Sequence, residues 1–367
     1  TFSSSDAQIV KPANYTFLSG DAGVKTFTGG ITMKTAAEQT VTATDTVTGT
    51  ITGTQSAITV QPANATTLIV AGMTDPVVAG VAGSLTVTAK DAFANTATGY
   101  LGTISFSSTD AQIVKPANYT FLSGDAGVKT FTGGLTMKTA AEQTVTATDT
   151  VTGTITGTQS AITVQPAATV ALTVSGITDP VTAGVTSSVT VTAKDAFGNT
   201  TPAYTGIITF SSSDAQIVKP ANYTFLSGDA GVKTFTGGLT MKTAAEQTVT
   251  ATDTVTGTIT GTQSAITVQP AAATTLTVAG ITDPVVAGVA SSVTVTAKDA
   301  FANTATGYLG IITFSSSDAQ IVKPANYTFL SGDAGVKTFT GGLTMKTAAE
   351  QTVTATDTVT GTITGTQ

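Results

Sequence analysis

The sequence predicts an all-β protein assembled from tandem sandwiches, and three observations carry that reading. The phrase TFSSSDAQIVKPANYTFLSGDAG opens the chain at Thr1 and returns almost letter for letter at Ser105, Thr209 and Thr313, always 104 residues on. A fixed period of this size marks one structural unit repeated in series, each copy long enough for its own core. Within a unit the apolar residues fall in short alternating stretches separated by turn residues, the period-2 pattern of half-buried strands. Threonine and valine dominate those stretches. Their branched β-carbons pack well on a pleated surface and lose entropy in a helix, so long helices are not expected.

The copy from Ala167 to Pro270 shows the elements in order. Ala171–Val174 is a first strand, stopped by Gly176 and the turn at Asp179-Pro180. Ser188–Ala193 is a second, with Val189, Val191 and Ala193 on one face and threonines on the other. It runs into KDAFGNTTP (Lys194–Pro202), a polar loop rich in turn formers. Gly206–Phe210 is the third strand, and SSSD (Ser211–Asp214) reads as a turn after it. Ile217-Val218 starts an extended piece that Pro220 confines to an edge, because proline donates nothing to a ladder. Tyr223–Phe225 follows and ends at the turn Gly228–Gly231. In VKTFTGGLTMK (Val232–Met241 and Lys242) the residues Lys233, Phe235, Leu239 and Met241 share a parity, and Gly237-Gly238 predicts a bulge or a break. Gln247–Asp253 and Ile259–Val268 complete the unit. Seven to nine strands in this length match an immunoglobulin-like sandwich.

The units are expected at 63–166 and 167–270, with 271–367 a third that stops within its last strand and 1–62 the back part of a fourth. The joints QPANATT, QPAATVA and QPAAATT are short and contain proline, which predicts stiff joints rather than Gly/Ser tethers. With strands of ~10 residues at ~3.3 Å each, a unit spans roughly 35–40 Å and the whole is expected to be a rod-like array. No charged and apolar leader opens the chain, so a processed form or an excerpt of something longer is expected.

Composition excludes several classes. Net charge is −7, charged residues are 10% of the chain, and all fifteen basic residues are lysine. Without clustered cations, nucleic acid and anionic membrane surfaces are poor partners. No apolar run approaches the roughly 20 residues of a membrane span. Cysteine, histidine and tryptophan are absent. Stability therefore arises without disulfides, and a low-charge, threonine-rich surface points to the cell surface or the extracellular space.

The stretch TVTAKDAFGNTTPAYTGIITFSSSDAQ (Thr190–Gln216) resembles the bacterial immunoglobulin-like repeats found in tandem in large secreted and surface-anchored proteins, including invasin- and intimin-type adhesins. The K-D-A-F-x-N loop, the Y-x-G before the third strand, the F-S-S-x-D-A after it, the D-A-G turn and A-A-E-Q-T-V-T-A-T-D carry the likeness over the whole chain. Ala94 and Ala302 depart from it where Gly198 stands in the middle copy. The resemblance implies a sandwich used as spacer, stalk or adhesive arm, and implies no catalytic residues.

The residues agree with that implication. General acid–base, nucleophilic and oxyanion chemistry lean on His, Cys and Arg, all missing, and neither S-x-x-K nor G-x-S-x-G occurs. No catalytic, cofactor-binding or metal-ligating residues are assigned. Calcium at the joints is the one cofactor considered: Asp195 and Asn199 share a loop and Asp179 sits in a turn, but they fall short of the six to eight oxygens calcium takes, and Asp195 is read as capping its own turn. Lys233, with Asn222 as partner and Glu246 as acid, is where an internal isopeptide bond would form; the reading taken is a lysine reaching out to water. Tyr204 and Tyr223 are read as packing rather than as sugar platforms, and Asn222-Tyr223-Thr224 matches the N-glycosylation pattern. The expected function is an extracellular structural rod or filament of stacked domains at a bacterial surface, its partners being like chains or a host or neighbouring cell surface. The alternative is a passive stalk presenting a distal binding or catalytic domain.

Overall fold

A computed structural model describes the whole chain, Thr1–Gln367. It divides into two compact units, Thr1–Ala167 with Phe197–Asn199, and Ala168–Ala196 with Thr200–Gln367. Each unit contains the same sandwich, described here on the copy with strands β1 (Ala171–Ser175), β2 (Val181–Thr182), β3 (Thr186–Lys194), β4 (Ile207–Ser212), β5 (Tyr223–Thr224), β6 (Val232–Thr240), β7 (Glu246–Asp253) and β8 (Thr260–Gln269).

Two sheets form. One has the order β1-β3-β6, the other β2-β8-β7-β4-β5. All neighbours are antiparallel except β2 and β8, which run parallel. The inward positions are those that the alternation picks out: Val189, Val191 and Ala193 of β3 and Val249 and Ala251 of β7 are fully buried. They close over Ile208, Leu239, Met241 and Ile266, also fully buried. The same core recurs in the first unit and in the 271–367 copy. On the outer face, cross-strand threonines bond to each other, as in Thr250–Thr262 at 2.8 Å and Thr252–Thr260 at 3.0 Å. Such pairs keep strand propensity without exposing apolar surface.

Some local details differ from the sequence reading. Ser211 and Ser212 are the last residues of β4 rather than part of a turn. The reason is their pairing with Thr250 and Val249 of β7, which extends the ladder past Phe210. Gly237-Gly238 makes a bulge, not a break: β6 stays continuous while its register against β3 shifts between Ser187 and Val189. Gly237 adopts φ +59° there, a left-handed conformation glycine takes without steric penalty. The segment after Phe225 forms a short 3-10 turn, Ser227–Asp229, closed when the Leu226 amide donates to Asp229 Oδ2 at 2.8 Å.

Aromatic edges fill the end of the sandwich. Tyr204 meets Phe225 with ring centroids 5.0 Å apart, and Tyr223 meets Phe235 at 5.4 Å, both edge-on. The Tyr204 hydroxyl donates to Asp253 Oδ2 at 2.5 Å inside the core. Burial, that hydrogen bond and the adjacent carboxylate charge together push the Tyr204 hydroxyl pKa above its ordinary value. The Y-x-G motif acquires its reason here, since a Cβ on Gly206 would lie 2.1 Å from Asp253 Oδ2 and 2.4 Å from the Tyr204 oxygen.

The sheets also touch at their margins. Gly261 of β8 lies against β1 so closely that a Cβ would sit 2.0 Å from the Leu172 carbonyl oxygen. That neighbour is backbone and cannot rotate aside. Gly261→Ala is therefore expected to force β1 away from β8 and to destabilise the sandwich by about 2–3 kcal/mol. Urea unfolding followed by circular dichroism measures it, and an unchanged midpoint would contradict this packing.

Candidate functional site: the joint between repeats

Within the second unit, the joint between the copies at 167–270 and 271–367 is built from the opening phrase upward. Asp214 follows β4 and is 1% exposed. Its carboxylate accepts from the Gln216 amide (2.9 Å), the Lys242 amide (2.6 Å), the Thr243 amide (3.0 Å) and the Thr243 hydroxyl (2.6 Å). Burial raises the Asp214 pKa, but the Thr243 hydroxyl and the backbone amides favour the ionised form and hold it below its ordinary value. Gln247 adds a clip, donating to the Thr243 carbonyl at 3.0 Å while accepting from the Ser213 hydroxyl at 2.5 Å. The result is a rigid bend after β6.

That bend presents one backbone acceptor and one backbone donor. The Asn303 side chain takes both: its Nδ2 donates to the Lys242 carbonyl at 2.7 Å, and its Oδ1 accepts from the Ala244 amide at 2.8 Å. A second carboxylate aims the amide. Asp299 Oδ2 accepts from Asn303 Nδ2 at 2.8 Å, and its Oδ1 accepts from the Phe301 and Asn303 amides, both at 2.9 Å. Oδ2 also takes the amide of Ala271 in the connecting segment at 3.0 Å. Phe301 packs against the core of the preceding copy, beneath the Lys242 ammonium at 5.8 Å.

The joint within the first unit repeats this geometry. Asn95 donates to the Lys34 carbonyl at 2.7 Å and accepts from the Ala36 amide at 2.9 Å. Asp91 accepts from Asn95 Nδ2 and from the Ala63 amide, each at 2.9 Å. Asp6 holds Lys34 and Thr35 as Asp214 holds Lys242 and Thr243. Ala94 and Ala302 stand in the left-handed region at φ +65° and +68°, so this loop keeps its shape without the glycine found at Gly198.

The residues singled out from sequence take these places. Asn199, counted with the first unit, donates to the Lys138 carbonyl at 2.7 Å and accepts from the Ala140 amide at 2.8 Å, the same two-point contact. Asp195 is buried. Asp179 accepts from the Thr267 amide at 2.9 Å. No three carboxylates converge anywhere in the chain. Lys233 is 3.2 Å from Asp229 and lies 4.5 Å from the centroid of the Tyr223 ring, while Asn222 and Glu246 are exposed. Tyr204 is buried, and the Tyr223 hydroxyl donates to Asp229 at 2.9 Å. The arrangement brings together no nucleophile and base; it recognises one repeat by the next through neutral amides braced by buried carboxylates. The partner of the K-D-A-F-x-N asparagine is not legible in the sequence, because that partner is backbone. The only trace in the sequence is that Met-Lys-Thr-Ala-Ala recurs in each copy, directly after β6 in the copy at 167–270.

Fold and joint together define a tandem array of immunoglobulin-like sandwiches with latched joints. No family model and no curated protein matches the sequence. Among solved structures the chain is similar to FdeC, an Escherichia coli adhesin, at 21% identity over 83% of this chain and 96% of that one, with a TM-score of 0.37. It is similar to Yersinia pseudotuberculosis InvD at 19% identity over 80% and 94%, TM-score 0.30. It is also similar to invasin, a bacterial integrin-binding protein, at 16% identity over 79% of this chain and 56% of that one, TM-score 0.30. At such identities and TM-scores these likenesses carry no functional weight.

Two outcomes follow from the joint. Asn303→Ala leaves the Lys242 carbonyl and Ala244 amide without their partner and is expected to weaken the joint by about 1–3 kcal/mol. Hydrogen exchange at the Ala244 amide should accelerate while amides of β7 stay protected; equal protection in both proteins would exclude the latch. The aspartates set an acid limit. A carboxylate whose folded pKa lies below its unfolded value adds stability that is present above about pH 4 and is lost as pH falls towards the folded pKa. Asp214 and Asp299 are both lowered, by hydrogen bonds that outweigh burial. The melting temperature is expected to be level from neutral pH to about 5 and to fall below about 4. Asp214→Asn should flatten that fall, and an unchanged acid slope would contradict the assignment.

Proposed function

We propose that this chain is an extracellular structural array, a stiff spacer of stacked sandwiches at a bacterial surface. The observation that supports it is the two-point asparagine latch, formed with equivalent partners at 2.7–2.9 Å in both units. A flexible tether has no use for a buried aspartate that aims an amide at the preceding domain. A polymer of fixed joint geometry does, because identical joints add up to a defined direction over many repeats. The composition supports an extracellular setting: few charges and many threonines.

Near-identity of the copies also favours the reading in which like chains associate into a rod or filament, since identical units offer identical contacts. A stalk presenting a distal domain needs only the latched joints in one chain. Small-angle scattering separates stiff from flexible: the native chain is expected to give one narrow distance distribution, and Asn95→Ala with Asn303→Ala a broader, shorter one. Identical profiles would sink the spacer reading. Negative-stain images of the same material separate filament from stalk, ordered fibres supporting the first and single particles the second.

A further inference from the structure

One stretch of the opening phrase takes no part in the joint. In the copy at 167–270 the residues Ile217–Thr224 cross the side of the sandwich where both sheets end. β6 is the last strand of one sheet there, and β4 with the two-residue β5 closes the other. Ile217 and Tyr223 pack on the core at either end of the crossing. Val218 exchanges two main-chain hydrogen bonds with Thr240 of β6, each at 2.9 Å. Pro220 lies over Gly238, where a Cβ would sit 3.3 Å from the Pro220 Cγ. Tyr223 and Thr224 then pair with Ile208 and Ile207 of β4.

That pairing stops at Ile208, so the rest of β4 has no strand on its outer side. On its inner side the Ile207 carbonyl accepts from the Thr254 amide and the Ser213 amide donates to Thr248. Main-chain groups alternate sides along an antiparallel strand, so those of Phe210 face outward. Lys219 occupies this position: its ammonium donates to the Phe210 carbonyl while the residue stays exposed. The first unit repeats every part. Val114 exchanges two bonds with Thr136 at 2.9 and 2.8 Å, Pro116 lies over Gly134, and the exposed Lys115 donates to the Phe106 carbonyl.

The strand covered in this way is the one with most reason to be covered. Ile207–Ser212 reads IITFSS and Thr103–Ser108 reads TISFSS, six residues each, uncharged and without proline or glycine. A strand-forming segment of this kind with an open edge pairs readily with its own likeness. Near-identical repeats supply that likeness in every chain.

We infer that Lys115 and Lys219 guard this edge against strand pairing with the same six residues of a second copy of the chain. An incoming strand needs the Phe210 carbonyl for its ladder. It must displace the ammonium from that oxygen or bury it, and a buried ammonium without a partner is strongly unfavourable. Pro220 beside it offers no amide donor. The guard operates whether the array is a spacer or a filament, and it directs any contact between like chains away from β4.

Sedimentation velocity on the full chain over a concentration series tests it. Lys115→Met with Lys219→Met keeps the side-chain length and removes both charge and donor. Its weight-average mass is expected to rise about twofold or more above that of the native chain at equal concentration, since one edge is freed in each of two repeats. Amide exchange at Phe106 and Phe210 should slow as the mass rises, because the added strand covers those groups. Lys90→Met with Lys194→Met is the control. It removes two charges whose ammonium groups donate to the Thr96 and Thr200 hydroxyls at 3.1 Å, away from β4, and is expected to sediment as the native chain does. An edge pair that sediments like the native chain overturns the guard. Equal association of both pairs also overturns it, since loss of charge alone then suffices, as does association without slower exchange at Phe106 and Phe210. Lys115→Gln with Lys219→Gln, which removes the charge and keeps an amide donor, takes the place of the methionine pair if that pair does not fold, with the same rise expected.

Discussion

Each repeat is organised around carboxylates taken out of water and surrounded by backbone amides. Asp214 holds the bend after β6, Asp253 meets Tyr204 and caps the turn at Val255 and Thr256, and Asp299 shapes the loop that reaches back to the preceding copy. A buried charge left without partners is strongly unfavourable, so each of these sites also specifies the loop conformation that satisfies it. In a chain with no disulfide and a small aliphatic core, such loops would otherwise be the least ordered parts. No buried side-chain nitrogen or oxygen is left without a hydrogen-bond partner.

The carboxylates also link the levels of the structure. Asp214 fixes Lys242 and Thr243, and the bend thereby presents the carbonyl and amide that Asn303 reads. Asp299 aims Asn303 and pins Ala271, two residues beyond the end of β8. β8 in turn is bonded to the segment after β1 through Gln263 and the Thr267 amide. The path from first strand to last, across the connecting segment and into the next copy is therefore continuous hydrogen bonding.

Much of the sandwich was legible. The alternation in TSSVTVTAK and EQTVTATD assigns inward and outward faces directly, because one side of each sheet packs and the other meets solvent. The limits of β4 were less legible: serines read as turn formers, yet cross-strand pairing keeps Ser211 and Ser212 extended. The loop holding Asp195 and Asn199 reads from sequence as a polar, recurrent turn. What the sequence does not show is that its asparagine meets backbone atoms some 60 positions earlier, as Asn199 does with Lys138 and Ala140. Gln263 looked like an ordinary strand residue, since its role depends on a segment 86 residues away.

By itself the sequence determined the period of the array, the all-β class, the facing of each strand and the absence of the side chains most enzymes use. Those properties follow from local composition and alternation, which act between neighbours along the chain. Only the tertiary structure decided what the recurring polar residues are for. Asp214, Asn303 and Gln263 all bind main-chain groups of distant segments, and a main-chain amide or carbonyl leaves no mark on the residue that carries it. The opening phrase shows the division: its strand is written in its letters, while its aspartate's place in the joint exists only once β6 has folded back against it.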